Sequence, residues 1–172
     1  MSRWQADGVF SSKHHDWATP ADLFELINDE FAFTLDAAAG PENAKVSAYF
    51  TKDDDALAQD WAEAAGTGGA VFVNPPYGRG IGKWLKKCAE EGQRVTVAAL
   101  VFARTDVKWF HNYVMPLASE VRFIKGRLNF TRDGRTGTSP APSMLVVYRP
   151  GLRITEHLPA YQMARRKQEA TK

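Results

Sequence analysis

Two apolar segments, residues 70–73 and 95–102, constrain the fold of this chain more than any other feature. Both consist almost entirely of Val, Ala, Leu, Phe and Thr. The first lies between the glycine-rich residues 66–69 and a pair of prolines, which are residues that interrupt regular structure. Uninterrupted apolar runs of this length are typical of strands that are covered on both faces. The chain is therefore predicted to contain a buried, largely parallel sheet.

Helical patterns lie between these predicted strands. The first helix is predicted to begin with Thr19 as its N-cap and Pro20 as its first helical residue, because proline is favoured at that position. A short helix is predicted through residues 57–61, and longer ones over residues 83–91 and 106–115. Strands that alternate with helices in this way are typical of an α/β fold.

Further strands complete the predicted sheet. They cover residues 33–36, 121–124 and 144–148, and another strand is expected within residues 44–50. The last two strands of the chain are joined by a predicted long loop, residues 125–143. The fold class predicted from this order is a doubly wound α/β sheet, mostly parallel, with an antiparallel C-terminal hairpin. In such sheets ligands bind beyond the carboxyl ends of the strands.

The length of 172 residues fits one domain, assigned here to residues 17–150. Residues 1–16 are predicted to be irregular, and residues 151–172 form a basic tail. The single cysteine excludes an internal disulfide, and the four histidines have no zinc-like spacing. No apolar run is long enough for a membrane helix. We therefore expect a soluble cytoplasmic protein with no bound metal.

The charges are distributed unevenly along the chain. Residues 1–78 contain 4 Lys and Arg against 13 Asp and Glu, whereas residues 79–172 contain 18 against 7. A concentration of positive charge favours binding to the phosphates of a nucleic acid, because cationic side chains release the condensed counterions. Alternatively, the two halves neutralise each other across the fold and only solvate the surface.

The tetrapeptide that follows residues 70–73 is the most informative part of the sequence. It consists of Asn74, Pro75, Pro76 and Tyr77. The amide oxygen of Asn74 and the carbonyl oxygen of Pro75 are two acceptors that can converge on one NH₂ group. Hydrogen bonds to both hydrogens of an aromatic amine would free the nitrogen lone pair to attack an electrophile. Tyr77 offers a face on which a planar base can stack.

A purely structural interpretation of the tetrapeptide stays open. Asn and Pro are common in turns for local reasons, and in this interpretation the prolines serve only to end the strand and the tyrosine only to pack. The position at a predicted strand end favours the chemical interpretation.

Taken together, the motifs resemble those of the phage-type Dam-like DNA N-6-adenine methyltransferases, over most of the chain. The motifs that carry the resemblance are, in order, Asp16-Trp17-Ala18-Thr19-Pro20, Leu35-Asp36-Ala37-Ala38, Asp55-Ala56-Leu57 with Asp60-Trp61, Val73-Asn74-Pro75-Pro76-Tyr77-Gly78, Ala103-Arg104-Thr105-Asp106 with Lys108-Trp109-Phe110-His111, and Gly126-Arg127-Leu128-Asn129-Phe130. The resemblance implies a Rossmann-like methyltransferase domain that uses S-adenosylmethionine.

The resemblance also implies roles for single residues. Residues 74–77 match the catalytic tetrapeptide of the family. Asp36, with Ala37 beside it, matches the acidic position that faces the methionine part of the cofactor, and Thr19 and Pro20 match a segment at the same end. A carboxylate there is chemically reasonable, because the amino group and the sulfonium are cationic. Phe130 matches a position where an aromatic residue commonly helps to hold the target base.

Basic residues near these motifs are candidates for DNA binding. Arg132 and Arg135 lie in the predicted loop among Gly, Thr, Ser and Pro, a composition suited to a basic arm over a phosphate backbone. Arg104 follows a predicted strand end, where a substrate contact and a local ion pair are equally reasonable.

The predicted function is transfer of a methyl group to the exocyclic amino group of an adenine in double-stranded DNA. The base would have to be flipped out of the duplex, because its amino group is otherwise inaccessible. Two alternatives remain at this point. The same chemistry could act on RNA or on a protein glutamine, since the tetrapeptide begins with Asn in such enzymes too, or the chain could be a DNA-binding module without catalysis.

Overall fold

The computed structural model describes residues 18–132 and 135–153, and for Arg132 the backbone alone. The predicted irregular segment, residues 1–16, lies outside the described residues. So does the predicted basic tail from residue 154 onward. The division of the chain into these segments and a central domain therefore stays a prediction.

A five-stranded sheet forms the centre of the structure. The strands of the described residues are β1 (Leu35–Asp36), β2 (Ala70–Val73), β3 (Thr96–Phe102), β4 (Glu120–Phe123), β5 (Asn129–Arg132), β6 (Arg135–Thr138) and β7 (Ser143–Tyr148). The order in the sheet is β1-β2-β3-β7-β4, and β1, β2 and β3 are parallel to one another. β7 is antiparallel to both of its neighbours, so the antiparallel strand lies inside the sheet. The fold is a mixed α/β structure with a mostly parallel central sheet plus antiparallel strands.

Helices cover both faces of this sheet. They are α1 (Ala21–Phe31), α2 (Trp61–Ala65) and α3 (Ile81–Glu91), with a 3-10 turn at Lys52–Asp54 and a π-helical turn at Phe110–Val114. Successive side chains of β2 point to opposite faces. Val71 and Val73 therefore pack against α2 and α3, and Phe72 packs against α1 on the other face. This alternation explains why the whole strand is apolar.

The predicted loop over residues 125–143 is wrong in one respect. Part of it folds into the antiparallel pair β5 and β6, in which Asn129 lies opposite Thr138 and Phe130 opposite Gly137. The Phe130 side chain is completely buried in the core on the α1 face. Burial of this ring anchors the hairpin, although its other residues are mostly polar.

Two short predicted elements also differ from the structure. Residues 44–50 form no full strand, and only Tyr49 makes an isolated parallel bridge, to Asp36. The helix predicted through residues 57–61 begins only at Trp61, because the carboxylate of Asp60 caps it by accepting a hydrogen bond from the Glu63 backbone N–H at 2.9 Å.

The N-cap of α1 is Pro20 and not Thr19 as predicted. The Pro20 carbonyl accepts the hydrogen bond of the Phe24 N–H at 3.0 Å, which makes Ala21 the first helical residue. The Thr19 hydroxyl is directed elsewhere, to the side chain of Asn74.

None of the described helices is both long enough and apolar enough to cross a membrane. Within residues 18–132 and 135–153, no group of three or more His, Cys, Asp or Glu side chains is arranged to hold a metal ion.

Candidate active site

The carboxyl ends of β1 and β2 lie side by side at one edge of the sheet. Asp36, the last residue of β1, lies opposite Phe72, and β2 ends one residue later at Val73. Neighbouring strands are about 4.8 Å apart. The sheet therefore places Asp36, at the end of β1, and Asn74, directly after β2, at the same edge, where the sequence predicted a site.

The side-chain amide of Asn74 is held at both of its ends. Its Nδ2 donates to the hydroxyl of Thr19 at 3.1 Å, and its Oδ1 accepts from the hydroxyl of Tyr77 at 3.2 Å. Thr19 is almost fully buried, and Asn74 is half-buried. The structure thus brings three of the predicted site residues into one hydrogen-bonded group.

The Tyr77 side chain has two more contacts that fix its position. Its hydroxyl also lies 3.3 Å from the backbone carbonyl of Leu100, on β3. Its ring stacks on Phe102, with 4.0 Å between the centroids and 10° between the planes. Burial raises the pKa of the Tyr77 phenol above its ordinary value, so the hydroxyl keeps its proton and acts as a donor at neutral pH.

The ring of Phe130, on β5, contacts the ring of Tyr77 and is not exposed at the surface. The two centroids are 6.4 Å apart with the planes at 69°, an edge-to-face arrangement. Because the Phe130 side chain is completely buried, its observed contact is support of Tyr77. Direct contact of Phe130 with a target base stays a prediction.

The carboxylate of Asp36 is buried at the end of β1, with 2% of the residue exposed. Its oxygens accept hydrogen bonds from the backbone N–H groups of Ala38 at 3.3 Å and Lys45 at 3.1 Å. Burial raises the pKa of Asp36 from 3.8 to about 6, and the two hydrogen bonds oppose this rise. Asp36 is therefore a buried acid at the carboxyl ends of β1 and β2.

The remaining predicted residues of the strand edge are packed to different degrees. Pro75 is buried and Pro76 is half-buried, directly after β2. Ala37 is completely buried in the core on the α2 and α3 face. Pro20 is half-buried at the start of α1.

The predicted DNA-binding arginines lie on different elements. Arg104 is exposed two residues after the end of β3, and Arg135 is exposed at the start of β6. Arg132 is the last residue of β5 and its backbone lies opposite Arg135. The structure describes only the backbone of Arg132.

Sequence reasoning did not predict the contacts of two residues at this site. Phe102 is the last residue of β3, at a strand end where the sequence predicts ligand binding, but the stacking of its ring on Tyr77 was not predicted. Lys45 lies in a stretch without any motif, yet its backbone contacts Asp36 and burial lowers the pKa of its amine. For Lys45, no sequence signal indicated the contact with Asp36.

A cavity of about 620 Å³ lies at the opposite edge of the sheet, and none of the predicted site residues lines it. Among its lining residues are Gly69, just before β2, and Thr96, the first residue of β3. Since ligands of open α/β sheets bind beyond the carboxyl ends of the strands, we do not assign this cavity to the site.

Comparison with known proteins supports a common origin with DNA methyltransferases. A family model described as "DNA N-6-adenine-methyltransferase (Dam)" matches residues 9–170. A protein of Haemophilus phage HP1 (strain HP1c1) named DNA N-6-adenine-methyltransferase is 28% identical over 140 residues, or 78% of each chain. A protein of Escherichia phage T1 with the same name is 27% identical over 120 residues, 69% of this chain and 48% of its own. YfdM of Escherichia coli (strain K12), named as an inferred methyltransferase, is 49% identical over 63 residues, 36% of this chain and 69% of its own.

The buried carboxyl of Asp36 makes the stability of the protein depend on pH. Between pH 4 and 6 the folded state binds the proton more tightly than the unfolded state, so the free energy of unfolding falls as the pH rises and levels off above about 6. Asp36→Asn cannot titrate. The free energy of unfolding of this variant, minus that of the wild type, should therefore rise by up to roughly 3 kcal/mol between pH 4 and 7. This is the equivalent of a pKa difference of about two units. Urea unfolding of both proteins at several pH values measures this difference, and a difference that is the same at every pH would contradict the burial of an ionised group.

Proposed function

We propose that this chain, which belongs to the DNA N-6-adenine-methyltransferase (Dam) family, transfers a methyl group from S-adenosylmethionine to the exocyclic amino group of adenine in double-stranded DNA. The observation that carries the proposal is the Asn74 amide, held by Thr19 and Tyr77 at the strand edge that also contains Asp36. We further propose that the α/β sheet forms a single Rossmann-like methyltransferase domain.

Asn74 and Pro75 have the central role in the proposed chemistry. The Asn74 side-chain oxygen and the Pro75 carbonyl each accept one hydrogen of the adenine amino group. This arrangement favours a tetrahedral nitrogen whose lone pair is no longer delocalised into the ring, and positioned dipoles of this kind act without reorganisation during the reaction. The nitrogen forms the bond to the methyl carbon and loses one of its protons to water.

The residues at the end of β1 fit the proposed methyl donor. S-adenosylmethionine supplies an electrophilic methyl group, which leaves its bonding electron pair on sulfur. The buried carboxylate of Asp36 fits this donor, because an ionised acid in a buried place is stabilised by a cationic partner such as an ammonium group. Ala37 and Pro20 are the proposed neighbours of the same end of the donor, whereas the Thr19 hydroxyl is bonded to Asn74.

The adenine must leave the base stack before this chemistry can occur. An amino group inside a duplex cannot be aligned with a sulfonium methyl, so we propose that the base is flipped out toward the end of β2. Phe102 covers one face of the Tyr77 ring. Stacking of the flipped base would use the opposite face of the Tyr77 ring, and Phe130 would support that ring.

We propose that exposed arginines bind the DNA backbone. Arg104 follows β3, which carries the stacking partner of Tyr77, and Arg135 lies on the hairpin that carries Phe130. Arg132 is its neighbour on that hairpin. Contacts to phosphates orient the duplex and do not by themselves read its sequence.

The proposed place of action is the cytoplasm, where bacterial DNA is found.

Mass spectrometry of the nucleosides released from DNA tests the proposed substrate. After incubation with the protein and S-adenosylmethionine, PCR-amplified DNA of several kilobases should contain N6-methyladenine and no methylcytosine. Transcribed RNA and glutamine-containing peptides serve as parallel substrates and should stay unmethylated. Methylation of either of these with none on DNA, or DNA binding without any product, would contradict the proposal.

Removal of the Asn74 amide tests the proposed chemistry. Asn74→Ala should lower kcat by about 100-fold or more, the effect of losing one positioned transition-state contact, with little change in the Kd for S-adenosylmethionine. Asn74→Asp keeps an acceptor oxygen at the same place and should retain more activity. Single-turnover methylation of the PCR-amplified DNA measures both variants, and Asn74→Ala activity within about threefold of the wild type would exclude the assigned role.

Loss of the Asp36 charge tests the proposed donor site. Asp36→Asn should weaken binding of S-adenosylmethionine by roughly 1.5–3 kcal/mol, the value of a charge-assisted hydrogen bond. Wild-type affinity should also rise as the pH increases through about 6, and the variant should lack this rise. Titration calorimetry measures both effects, with Asp29→Asn on the exposed end of α1 as the control that should bind normally. An unchanged Kd in Asp36→Asn would place the methyl donor elsewhere.

A further inference from the structure

Thr19 lies in a short segment that is fixed on both sides. Before it, the Ala18 N–H donates to the Thr131 carbonyl of β5 at 2.8 Å, and the Thr131 N–H donates to the Ala18 carbonyl at 3.3 Å. After it, Pro20 begins α1. Proline has a restricted φ and also limits the conformation of the residue before it. The backbone from which the Thr19 side chain extends is therefore nearly fixed in position, and the residue is only 3% exposed.

The amide of Asn74 needs this kind of external support. The terminal torsion of an asparagine side chain has broad energy minima, so rotamer preference alone does not decide where the oxygen points. A partial rotation about this torsion would turn the acceptor oxygen away from a bound amino group and lengthen the hydrogen bonds of the amide. The Thr19 hydroxyl at 3.1 Å from Nδ2 and the Tyr77 hydroxyl at 3.2 Å from Oδ1 oppose this rotation from opposite ends of the amide.

We propose that Thr19 is a positioning residue of the methyl-transfer reaction, which keeps the Asn74 oxygen directed at the amino group of the target base. This inference rests on the proposed function of Asn74. It differs from the role that the family resemblance implies for Thr19, a contact with the methyl donor. It also explains why the hydroxyl of a residue at the start of α1 is directed to the end of β2 and not to the helix.

The same arrangement connects the support of Asn74 to the hairpin. Thr131 of β5 fixes Ala18, next to Thr19, and Phe130 of β5 contacts the ring of Tyr77. Thr19 and Tyr77, which each contact the amide, are thus both supported by one strand. A duplex bound to Arg135 would therefore contact the same hairpin that supports the two residues holding the Asn74 amide.

Two substitutions of Thr19 distinguish the role of its hydroxyl group from the role of its side-chain volume. Thr19→Val keeps the volume and removes the hydroxyl, and Thr19→Ser keeps the hydroxyl. With PCR-amplified DNA and methyl-labelled S-adenosylmethionine, Thr19→Val should lower kcat by about tenfold or more, somewhat less than loss of a direct transition-state contact. Its Kd for S-adenosylmethionine and its KM for DNA should stay within about twofold of the wild type. Thr19→Ser should stay within about threefold in all three quantities.

Combination with Asn74→Ala tests whether Thr19 acts through Asn74. If it does, Thr19→Val should change the single-turnover rate of the Asn74→Ala protein by less than about twofold, because residues that act as a unit are not additive. Thermal unfolding checks that each variant is folded, and Thr19→Ala replaces Thr19→Val in the comparison if the latter does not fold.

Five results would overturn the positioning role. A raised Kd for S-adenosylmethionine with unchanged kcat would make Thr19 a donor contact. Wild-type kcat in Thr19→Val would show that the hydroxyl has no role, and an equal loss in Thr19→Ser would reduce the effect to packing. A Thr19→Val loss that adds in full to the loss of a slowed but still active Asn74→Ala protein would overturn the role of Thr19 alone. Full activity of Asn74→Ala would instead overturn the proposed function of Asn74, and this inference with it.

Discussion

The position of the site depends on the way the chain leaves β2. Pro75 and Pro76 have no backbone N–H to donate to a neighbouring strand, so the strand cannot continue past this point. β2 ends at Val73 in the interior of the sheet, between β1 and β3. A polar side chain placed there, that of Asn74, is surrounded by groups from several elements. This makes possible an amide that is held before any substrate binds.

The two-faced packing of the sheet decides which groups reach Asn74. α1 and the β5 side chain Phe130 lie on the same face, together with Phe72 and Leu100 of the central strands. The start of α1 therefore brings Thr19 to the strand end, and β5 brings Phe130 to Tyr77. Residues separated by more than a hundred positions in the sequence become neighbours because they share this face. The opposite face contains α2 and α3 and has a structural role in the core.

The sequence was most informative where burial leaves few alternatives. β2 was predicted with the observed bounds, because an apolar run between glycines and prolines is compatible with little else. The hairpin of β5 and β6 was missed, because its pairing depends on one buried ring and on a bridge to Ala18, neither of which gives a periodic pattern. Thr19 was assigned to the wrong role at the helix start, since a Thr-Pro pair is typical of a cap and its real partner is 55 positions away. Local patterns predicted the elements, whereas long-range hydrogen bonds of the site required the structure.

The central claim is that the Asn74 amide accepts a hydrogen bond from the amino group of a flipped adenine. A crystal structure of the protein with S-adenosylhomocysteine and a DNA duplex that it methylates tests this claim most directly. The account predicts an extrahelical adenine whose amino nitrogen lies within hydrogen-bond distance, about 3 Å, of both the Asn74 Oδ1 and the Pro75 carbonyl oxygen. An adenine amino group held by other residues, with the Asn74 amide still bonded only within the protein, would contradict it.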